Sequence, residues 1–199
     1  MMATPQLLHL VSYGDPVLHK PSQHVTFPLS TSDTQLITNM LYSVSEEQLA
    51  AAGAPWKSAA GMAAPQWGSP RRIFVIRRKY ISVDDLLLEG SDDFVVVINP
   101  HYTGIPKQEN DEKEQKKEEK SVKEDEVLHE EGCFSIPGMR GAVRRHHTIK
   151  ATFSTMSGER HSLILCDWSA RVFQHETDHI EGRLYDNADA ARCVLLEKV

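Results

Sequence analysis

The chain is poor in cysteine and has no long apolar run, and each scarcity excludes a class of protein. It holds three cysteines among 199 residues, an odd number that is too small for a disulfide-stabilised fold. We therefore expect a reducing compartment. No stretch reaches the roughly 18 apolar residues that a membrane-spanning helix requires, and the first residues lack the basic start and apolar core of a secretory signal. We accordingly expect no membrane association.

Positive charge is also scarce. Lysine and arginine number 22 against 28 acidic residues, which gives a net charge of −6. A polyanion would be repelled, so we expect no direct nucleic-acid binding. Hydrophobic residues make up 40% and charged residues 25% of the chain, as is typical of a globular protein, and the length fits one domain over residues 1–199.

One segment has a different composition from the rest. Residues 107–126 contain six lysines, nine acidic residues and Val122 as their only apolar residue. Such a segment cannot bury enough surface to offset the entropy lost on ordering, although its Glu–Lys pairs could also support a helix. We interpret it as a solvated, flexible insertion between two strands.

Apolar periodicity predicts two helices. The first begins near Ser32, which has capping-box spacing to Gln35. Its core-facing stripe consists of Leu36, Ile37, Met40 and Leu41. The second helix spans about 167–180, and Gly182 is its predicted stop.

Short runs rich in β-branched and aromatic residues predict strands. The predicted strands are Arg72–Arg77, Phe94–Asn99, Ala142–Val143, Ile149–Ser154 and Ser162–Leu165. Asn99 and Pro100 are expected to close the second strand, and Ser157-Gly158 is expected to form a hairpin turn between the last two.

Residues 174–179 read QHETDH and indicate a metal site. On a helix, His175 and His179 leave the same face about one turn apart. Two such nitrogens can share a metal ion, and Glu176 between them is placed to move protons. This spacing also occurs on exposed helices without a metal. A second cluster, EGCFS at 131–135, can supply a third ligand through Cys133.

The remaining thiols and imidazoles carry weaker signals. Cys166 lies in an apolar run and is expected to be a buried, inert thiol, while Cys193 has no evident partner. The eight other histidines show no ligand spacing, and we expect them at the surface.

Three ordered motifs resemble those of the peptide deformylase family. The family's GxGLAAPQ, EGCLS and QHExDH are similar to AAGMAAPQ at 59–66, EGCFS at 131–135 and QHETDH at 174–179. Similarity continues through YGDPVLHKPSQHV, RRIFVI, INP, SIPGMRGAVRR and GRLYD. The resemblance implies an α+β fold with small, mostly antiparallel sheets around a central helix that carries the HExxH-type motif.

The same resemblance implies a hydrolase that removes the formyl group from the N-terminal formylmethionine of nascent polypeptides and releases formate. It implies one divalent metal ion on Cys133, His175 and His179. Fe²⁺ is expected in cells, and Zn²⁺, Co²⁺ or Ni²⁺ also suit mixed thiolate and imidazole ligands. Glu176 would be the general base.

Donors and substrate contacts also follow from the resemblance. The Gln66 amide and the backbone N–H of Phe134 would stabilise charge on the formyl oxygen, and the peptide would bind extended along a sheet edge. The residues expected at the substrate are Gly61, Met62, Phe134, Arg140 and Val172.

Three further side chains are expected to support the ligands. Glu131 would form a salt bridge with a basic residue such as Arg145. Asp178 is expected to be a supporting or surface group rather than a ligand. Gln174 would brace the cysteine loop or simply pack.

One departure from the family pattern concerns Ala59, which replaces the first motif glycine. If that position needs a positive φ, alanine would be strained and activity weakened.

Two rival functions remain: a deformylase-like protein with weak or no activity that acts as a metal-containing binding protein, and an HExxH metallopeptidase. The peptidase would need a downstream third ligand, for which Glu197 is the only late candidate.

Compartment and assembly follow only by inference from the family. Its members act near ribosomes in the bacterial cytoplasm, or in mitochondria and plastids. The charged insertion favours a eukaryotic origin, and hence a mitochondrion or another organelle. A monomer and a homodimer are both compatible with the sequence.

Overall fold

The structure, a computed structural model, describes residues 4–45, 47–48, 59–81, 88–106, 126–185 and, for the backbone alone, 193–196. The insertion therefore lies outside the described residues except for Glu126, where a strand begins. Glu197 also lies outside them. No helix in the described part of the chain is both long and apolar enough to cross a bilayer.

Two α-helices and eight strands make up the described regular structure. The helices are α1 (Thr31–Ser43) and α2 (Asp167–Ile180). The strands are β1 (Gly61–Ala63), β2 (Ile73–Arg77), β3 (Phe94–Gly104), β4 (Glu126–Gly132), β5 (Arg140–His146), β6 (Thr148–Ser154), β7 (Arg160–Cys166) and β8 (Cys193–Leu196). Short 3-10 helices cover Pro16–His19, Ala64–Trp67 and Arg78–Tyr80.

The strands form two separate sheets. One has five strands in the order β1-β2-β3-β6-β7, and the other has three in the order β4-β5-β8. Every pairing between these strands is antiparallel. Helices and antiparallel sheets together confirm the predicted α+β class.

Alternation along β2 and β3 explains why the five-stranded sheet has a helix on each face. Phe74 and Ile76 belong to the apolar cluster that contains Phe173 of α2, whereas Ile73 and Val75 belong to the cluster that contains the α1 residues Ile37 and Met40. Side chains of a strand point alternately to opposite faces. A strand buried on both faces therefore has the continuous apolar sequence seen here.

The structure confirms the predicted bounds of α2, and Gly182 follows its end with a φ of 70°. The hairpin turn is also confirmed, because Gly158 has a φ of 91° and its N–H donates to the Thr155 carbonyl between β6 and β7. The three-residue β1, the exposed β4 and the four-residue β8 were not predicted; β1 and β4 show no clear apolar alternation.

Three predictions of local structure are wrong. Ser30, not Ser32, caps α1, with its Oγ accepting from the Asp33 N–H at 3.1 Å. The strand that Asn99 and Pro100 were expected to close continues to Gly104 through an irregularity between Ile98 and His101. The Asn99 side chain bonds both backbone groups of Val25, which holds its φ of 51°, and proline is tolerated at such bulges.

Cys166 is the third. Its thiol is exposed, because β7 lies at the end of the five-stranded sheet and alternates between the two faces. Leu165 points into the core, whereas Ile164 before it is 61% exposed. The residues of β7 alternate between the core and the solvent even though the sequence of the run is continuously apolar, so the sequence did not show that the Cys166 side is exposed.

Candidate metal centre

Helix α2 presents His175 and His179 on one face, with ring centroids 5.1 Å apart. Neighbouring positions Phe173 and Ile180 are fully buried against the five-stranded sheet. That burial fixes the rotation of the helix, so the two imidazoles face the opposite direction, toward β4 and β5. Phe173 and Ile180 lie seven residues, or about two helical turns, apart and so share the apolar face, which leaves the histidines on the polar face.

Cys133 meets this face from the end of β4. Its Sγ lies 3.2 Å from Nε2 of His179, and the ligand atoms of Cys133, His175 and His179 all lie within 4.8 Å of one another. The turn after β4 holds the thiol in place, because the Ser135 N–H donates to Sγ at 3.4 Å and the Ile136 N–H to the Cys133 carbonyl at 3.1 Å. This is the one such cluster among the described residues.

Glu131 orients the first of the two histidines. Its Oε2 lies 2.9 Å from Nδ1 of His175, so Nε2 of that ring remains for the cluster. The same carboxylate accepts from Arg145 Nε at 2.7 Å and Nη2 at 2.8 Å. Burial alone would raise the pKa of Glu131, but Arg145 and His175 outweigh it and hold that pKa well below its usual range. The predicted pair of Glu131 and Arg145 is present.

The pKa values of the Cys133 thiol and the Glu176 carboxyl are shifted in opposite directions. Burial would raise the pKa of Cys133, yet His179 and His175 outweigh it and favour the thiolate. Burial raises the pKa of Glu176 to about 7, with partial opposition from the two histidines. A thiolate is the form that ligates metals, and a carboxyl with a pKa near neutrality can both accept and return a proton.

Glu176 Oε2 is a buried polar atom beside the cluster with no hydrogen-bond partner among the described residues. Buried polar atoms are rarely left in this state. Together with a donor set of one thiolate and two imidazoles, which suits a borderline-soft divalent cation, this atom indicates that the residues present fit a metal ion.

Gln66 reaches the cluster from the 3-10 helix after β1. Its Oε1 accepts from the Ala63 N–H at 2.8 Å, and its Nε2 donates to Ser135 Oγ at 3.1 Å and lies 3.7 Å from Cys133 Sγ. The amide orientation is therefore fixed, with the N–H₂ end toward the thiol. Ser135 was not singled out by the sequence.

Gly61 is required by a close approach to Glu176. A Cβ at position 61 would lie 2.8 Å from both Cγ and Oε1 of Glu176, so a larger residue would displace the carboxyl group. Ala59, which replaces the first motif glycine, is 1% exposed and belongs to the apolar cluster on the α1 side of the sheet.

A cavity of about 100 Å³ opens beside the cluster. Of the predicted site residues, it is lined by Gly61, Gln66, Cys133, Phe134, Val172, His175 and Glu176. Its other lining residues are Ala60, Glu131, Gly132, Trp168 and Arg171. Trp168 and Arg171 were not foreseen, because neither belongs to a motif.

Two predicted substrate residues lie elsewhere. The Met62 side chain is 2% exposed and packs in the core cluster on the α1 side of the sheet. Arg140 is exposed, pairs with Glu130 at 3.3 Å and lines a neighbouring groove that it shares with Trp168.

The remaining polar residues near α2 have structural partners. Asp178 pairs with Arg145 and Arg183. Gln174 braces β5 rather than the cysteine loop, since its amide bonds the N–H and carbonyl of His146. Of the eight other histidines, six are exposed as predicted, whereas His146 and His161 are half-buried.

A comparison with known families agrees with this geometry. A family model described as polypeptide deformylase matches residues 7–192. The chain belongs to that family. It is 33% identical over 190 residues to peptide deformylase 1A, chloroplastic, of Solanum lycopersicum, covering 92% of this chain and 60% of that protein. It is 31% identical over 195 residues to the peptide deformylase of Macrococcus caseolyticus, covering 95% of this chain and 94% of the relative.

Solved structures of peptide deformylases show a similar fold. The enzyme of Thermotoga maritima superposes with a TM-score of 0.65 at 27% identity, over 92% of this chain and 97% of that one. The enzyme of Synechococcus elongatus in complex with actinonin gives 0.63 at 28% identity, over 94% and 81%. The chain spans 60% of the length of the two plant relatives, from tomato and Arabidopsis thaliana.

Proposed function

We propose that this protein is a metal-dependent hydrolase that removes the N-formyl group from the N-terminal formylmethionine of nascent polypeptides. Water and a formyl-peptide would give formate and a peptide with a free amine. The observation that carries the proposal is the convergence of Cys133, His175 and His179 within 4.8 Å, beside a cavity into which Glu176 and Gln66 face. Family membership supports the same conclusion.

Cys133, His175 and His179 would hold one divalent ion and leave a further coordination position for water or substrate, as catalytic metal sites do. The bound ion would supply Lewis acidity and lower the pKa of water near it. Fe²⁺ is our proposal for the ion in cells, and Zn²⁺, Co²⁺ and Ni²⁺ suit the same donors. Glu131 would keep His175 in the tautomer with its proton on Nδ1.

Glu176 would carry the proton. Its buried carboxylate would take a proton from the attacking water and deliver it to the amine that leaves. A pKa of about 7 suits both transfers at neutral pH, because neither protonation state is then far from available. Gly61 permits this carboxyl to sit at the cavity wall.

Gln66 would stabilise the charge that builds on the formyl oxygen. Its Nε2 donates to Ser135 Oγ and to Cys133 Sγ, and the hydrogen on the Cys133 side would turn to the formyl oxygen when substrate is bound. The backbone N–H of Phe134, next to the ligand thiol, would be the second donor, as the family pattern implies. Losing one such donor typically costs about 10²–10³-fold in kcat.

The cavity walls would receive the methionine side chain. Phe134, Val172 and Trp168 supply apolar surface around the mouth and wall of the cavity. Arg140, in the neighbouring groove, would contact a later residue of the peptide. We further propose that residues 1–199 form one catalytic domain that acts near the ribosome, where nascent chains are available.

The compartment depends on the source of the chain. Relatives named chloroplastic, or chloroplastic and mitochondrial, occur in plants, and other relatives are bacterial. We propose an organelle for a eukaryotic source and the cytoplasm for a bacterial one.

The peptidase alternative has little support, because the third donor comes from upstream Cys133. The decisive experiment is formate release from formyl-Met-Ala-Ser by protein reconstituted anaerobically with Fe²⁺, Co²⁺ or Ni²⁺. We expect turnover by the wild type and metal loss in Cys133→Ala. Stoichiometric metal without formate release would contradict the proposal and favour a non-catalytic metal-binding protein. Cleavage of an internal peptide bond would favour the peptidase.

A further inference from the structure

A buried arginine on α2 has no part in the chemistry proposed above. Arg171 lies one helical turn before His175 and is 6% exposed. Lysine and arginine are rarely buried unless each donor finds a partner. Its burial beside the metal cluster therefore calls for an explanation from its contacts.

The Arg171 guanidinium joins three points on the three-stranded sheet to the helix. Nη1 donates to Glu131 Oε1 at 2.7 Å and to the Val143 carbonyl at 3.0 Å, and Nη2 donates to the Val127 carbonyl at 2.7 Å. Val127 and Glu131 lie near the two ends of β4, and Val143 lies on β5. One side chain thus ties both strands to α2.

This linkage matters because the metal ligands come from different elements. His175 and His179 lie on α2, whereas Cys133 directly follows β4. The relative position of β4 and α2 therefore sets the distance from the thiol to the two imidazoles. In the described structure β4 pairs with β5 along one side only, so its position against α2 depends on side-chain contacts such as those of Arg171.

Arg145 cannot replace these contacts. It lies on β5, and the described bonds of its side chain go to the carboxylates of Glu131 and Asp178 rather than to the β4 backbone. The Glu131 carboxylate would keep Arg145 and His175 as partners without Arg171. Loss of Arg171 would release the β4 carbonyl of Val127 while leaving no bare carboxylate, so the fold should survive its substitution.

We propose that Arg171 is a positioning residue that fixes β4 against α2 and thereby sets the geometry of the Cys133, His175 and His179 metal site. The inference rests on the proposed metal site, but its test does not require deformylase activity. Arg171 acts through Glu131 and the two strand carbonyls rather than on the reacting atoms.

Metal affinity distinguishes positioning from simple charge. Removing one positive charge would by itself attract a divalent cation more strongly, so a charge effect predicts tighter binding in Arg171→Met. Loss of positioning predicts the opposite sign, and substitution of groups that orient metal ligands typically weakens affinity about 10–100-fold. Arg171→Lys keeps the charge but not the fork of donors, so positioning predicts weaker binding there as well.

The experiment measures Co²⁺ affinity by competition with a chromophoric chelator, together with the visible absorption of the Co²⁺ protein. We expect Arg171→Met and Arg171→Lys to bind Co²⁺ about 10–100-fold more weakly and to show an altered thiolate-to-cobalt band. The matched control is Arg71→Met. Arg71 also forms a fork with a buried carboxylate, Asp33 of α1, yet it lies outside the metal cluster, so its loss should lower the melting temperature and leave Co²⁺ affinity unchanged.

Wild-type affinity and an unchanged spectrum in both Arg171 variants would overturn the inference, and so would tighter binding in Arg171→Met with wild-type affinity in Arg171→Lys. If Arg171→Met does not fold, Arg171→Lys decides alone. A wild type that binds Co²⁺ without releasing formate would contradict the proposed function only, since the affinity comparison remains valid.

Discussion

Helices α1 and α2 pack on opposite faces of the same sheet and are built on different principles. The polar side chains of α1 bond within the helix or to segments away from the metal cluster: Thr34 and Thr38 donate to carbonyls one turn earlier, Asn39 and Ser43 accept from the N–H groups of Gln6 and Leu8, and Asp33 pairs with Arg71. In α2 the buried side chains of Arg171, Gln174 and His175 instead bond to the three-stranded sheet that carries Cys133.

The ends of the two helices differ in the same way. Ser30 caps α1 with its hydroxyl, whereas α2 has Cys166 at its N-cap without a side-chain bond and begins at Asp167 with a φ of 54°. Left-handed backbone costs roughly 1–2 kcal/mol for most residues, and less for aspartate. Helix α1 thus begins with a side-chain cap, whereas α2 begins without one.

The largest expected effect concerns the polar face of α2. Glu176→Gln should lower kcat for formyl-Met-Ala-Ser about 10²–10⁴-fold, the usual contribution of a general base, without lowering the melting temperature. The amide is nearly the same size and removes a buried ionisable group. Metal content by atomic emission is the control and should match the wild type. A large loss of stability would show that the fold of α2 depends on Glu176, which would contradict a purely functional role for this residue.

Apolar positions should behave alike in the two helices. Phe173→Ala in α2 should destabilise the protein by about 3–5 kcal/mol and Ile37→Ala in α1 by about 2–5 kcal/mol, since each is fully buried and leaves a cavity. Urea unfolding of the metal-free protein at pH 7 provides the measurement. A cost below about 1 kcal/mol for Ile37→Ala would mean that α1 is packed less tightly than described.

The helix ends provide a smaller effect. Ser30→Ala should cost about 1 kcal/mol, because it removes the acceptor for the Asp33 N–H. Cys166→Ala, at the matching position of α2, should change stability by less than about 0.5 kcal/mol, since the thiol is exposed and makes no cap bond. Equal losses of unfolding free energy in Ser30→Ala and Cys166→Ala would contradict the proposed difference between the N-termini of the two helices.

The smallest effect is a pH dependence in α1. Burial would raise the pKa of Asp33, but bonds from Arg71 and Ser30 outweigh it, so the pKa in the folded protein lies below its ordinary value. The ionised form therefore stabilises the fold above the unfolded pKa of about 4, and this contribution is lost as the pH falls through the folded pKa. The stability difference between wild type and Asp33→Asn should be constant from pH 7 to about 5.5 and shrink below about 4. A difference that grows in acid would refute the assignment.

The sequence predicted the site residues that helical spacing or ordered motifs reveal, and it missed those that only tertiary contacts define. His175, Glu176 and His179 were accessible because a helical period places residues four apart on one face, and Cys133 and Gln66 were accessible through ordered motifs. Arg171 was not, because its partners are the backbone carbonyls of residues 28 and 44 positions away, and such contacts have no signature in a sequence. The prediction that Cys166 is buried was wrong for a related reason. Burial in β7 depends on the position of this strand at the end of the sheet, which its composition does not reveal.

Because the three metal ligands come together only in the folded protein, metal content should depend on folding. Cys133 and His179 are separated by 46 positions in the chain, so an unfolded polymer would not hold them together, and an ion that binds only the native state adds its free energy to folding. The thermal midpoint should then rise with the concentration of free metal. A cell that withholds the ion would consequently contain less native protein as well as less active protein.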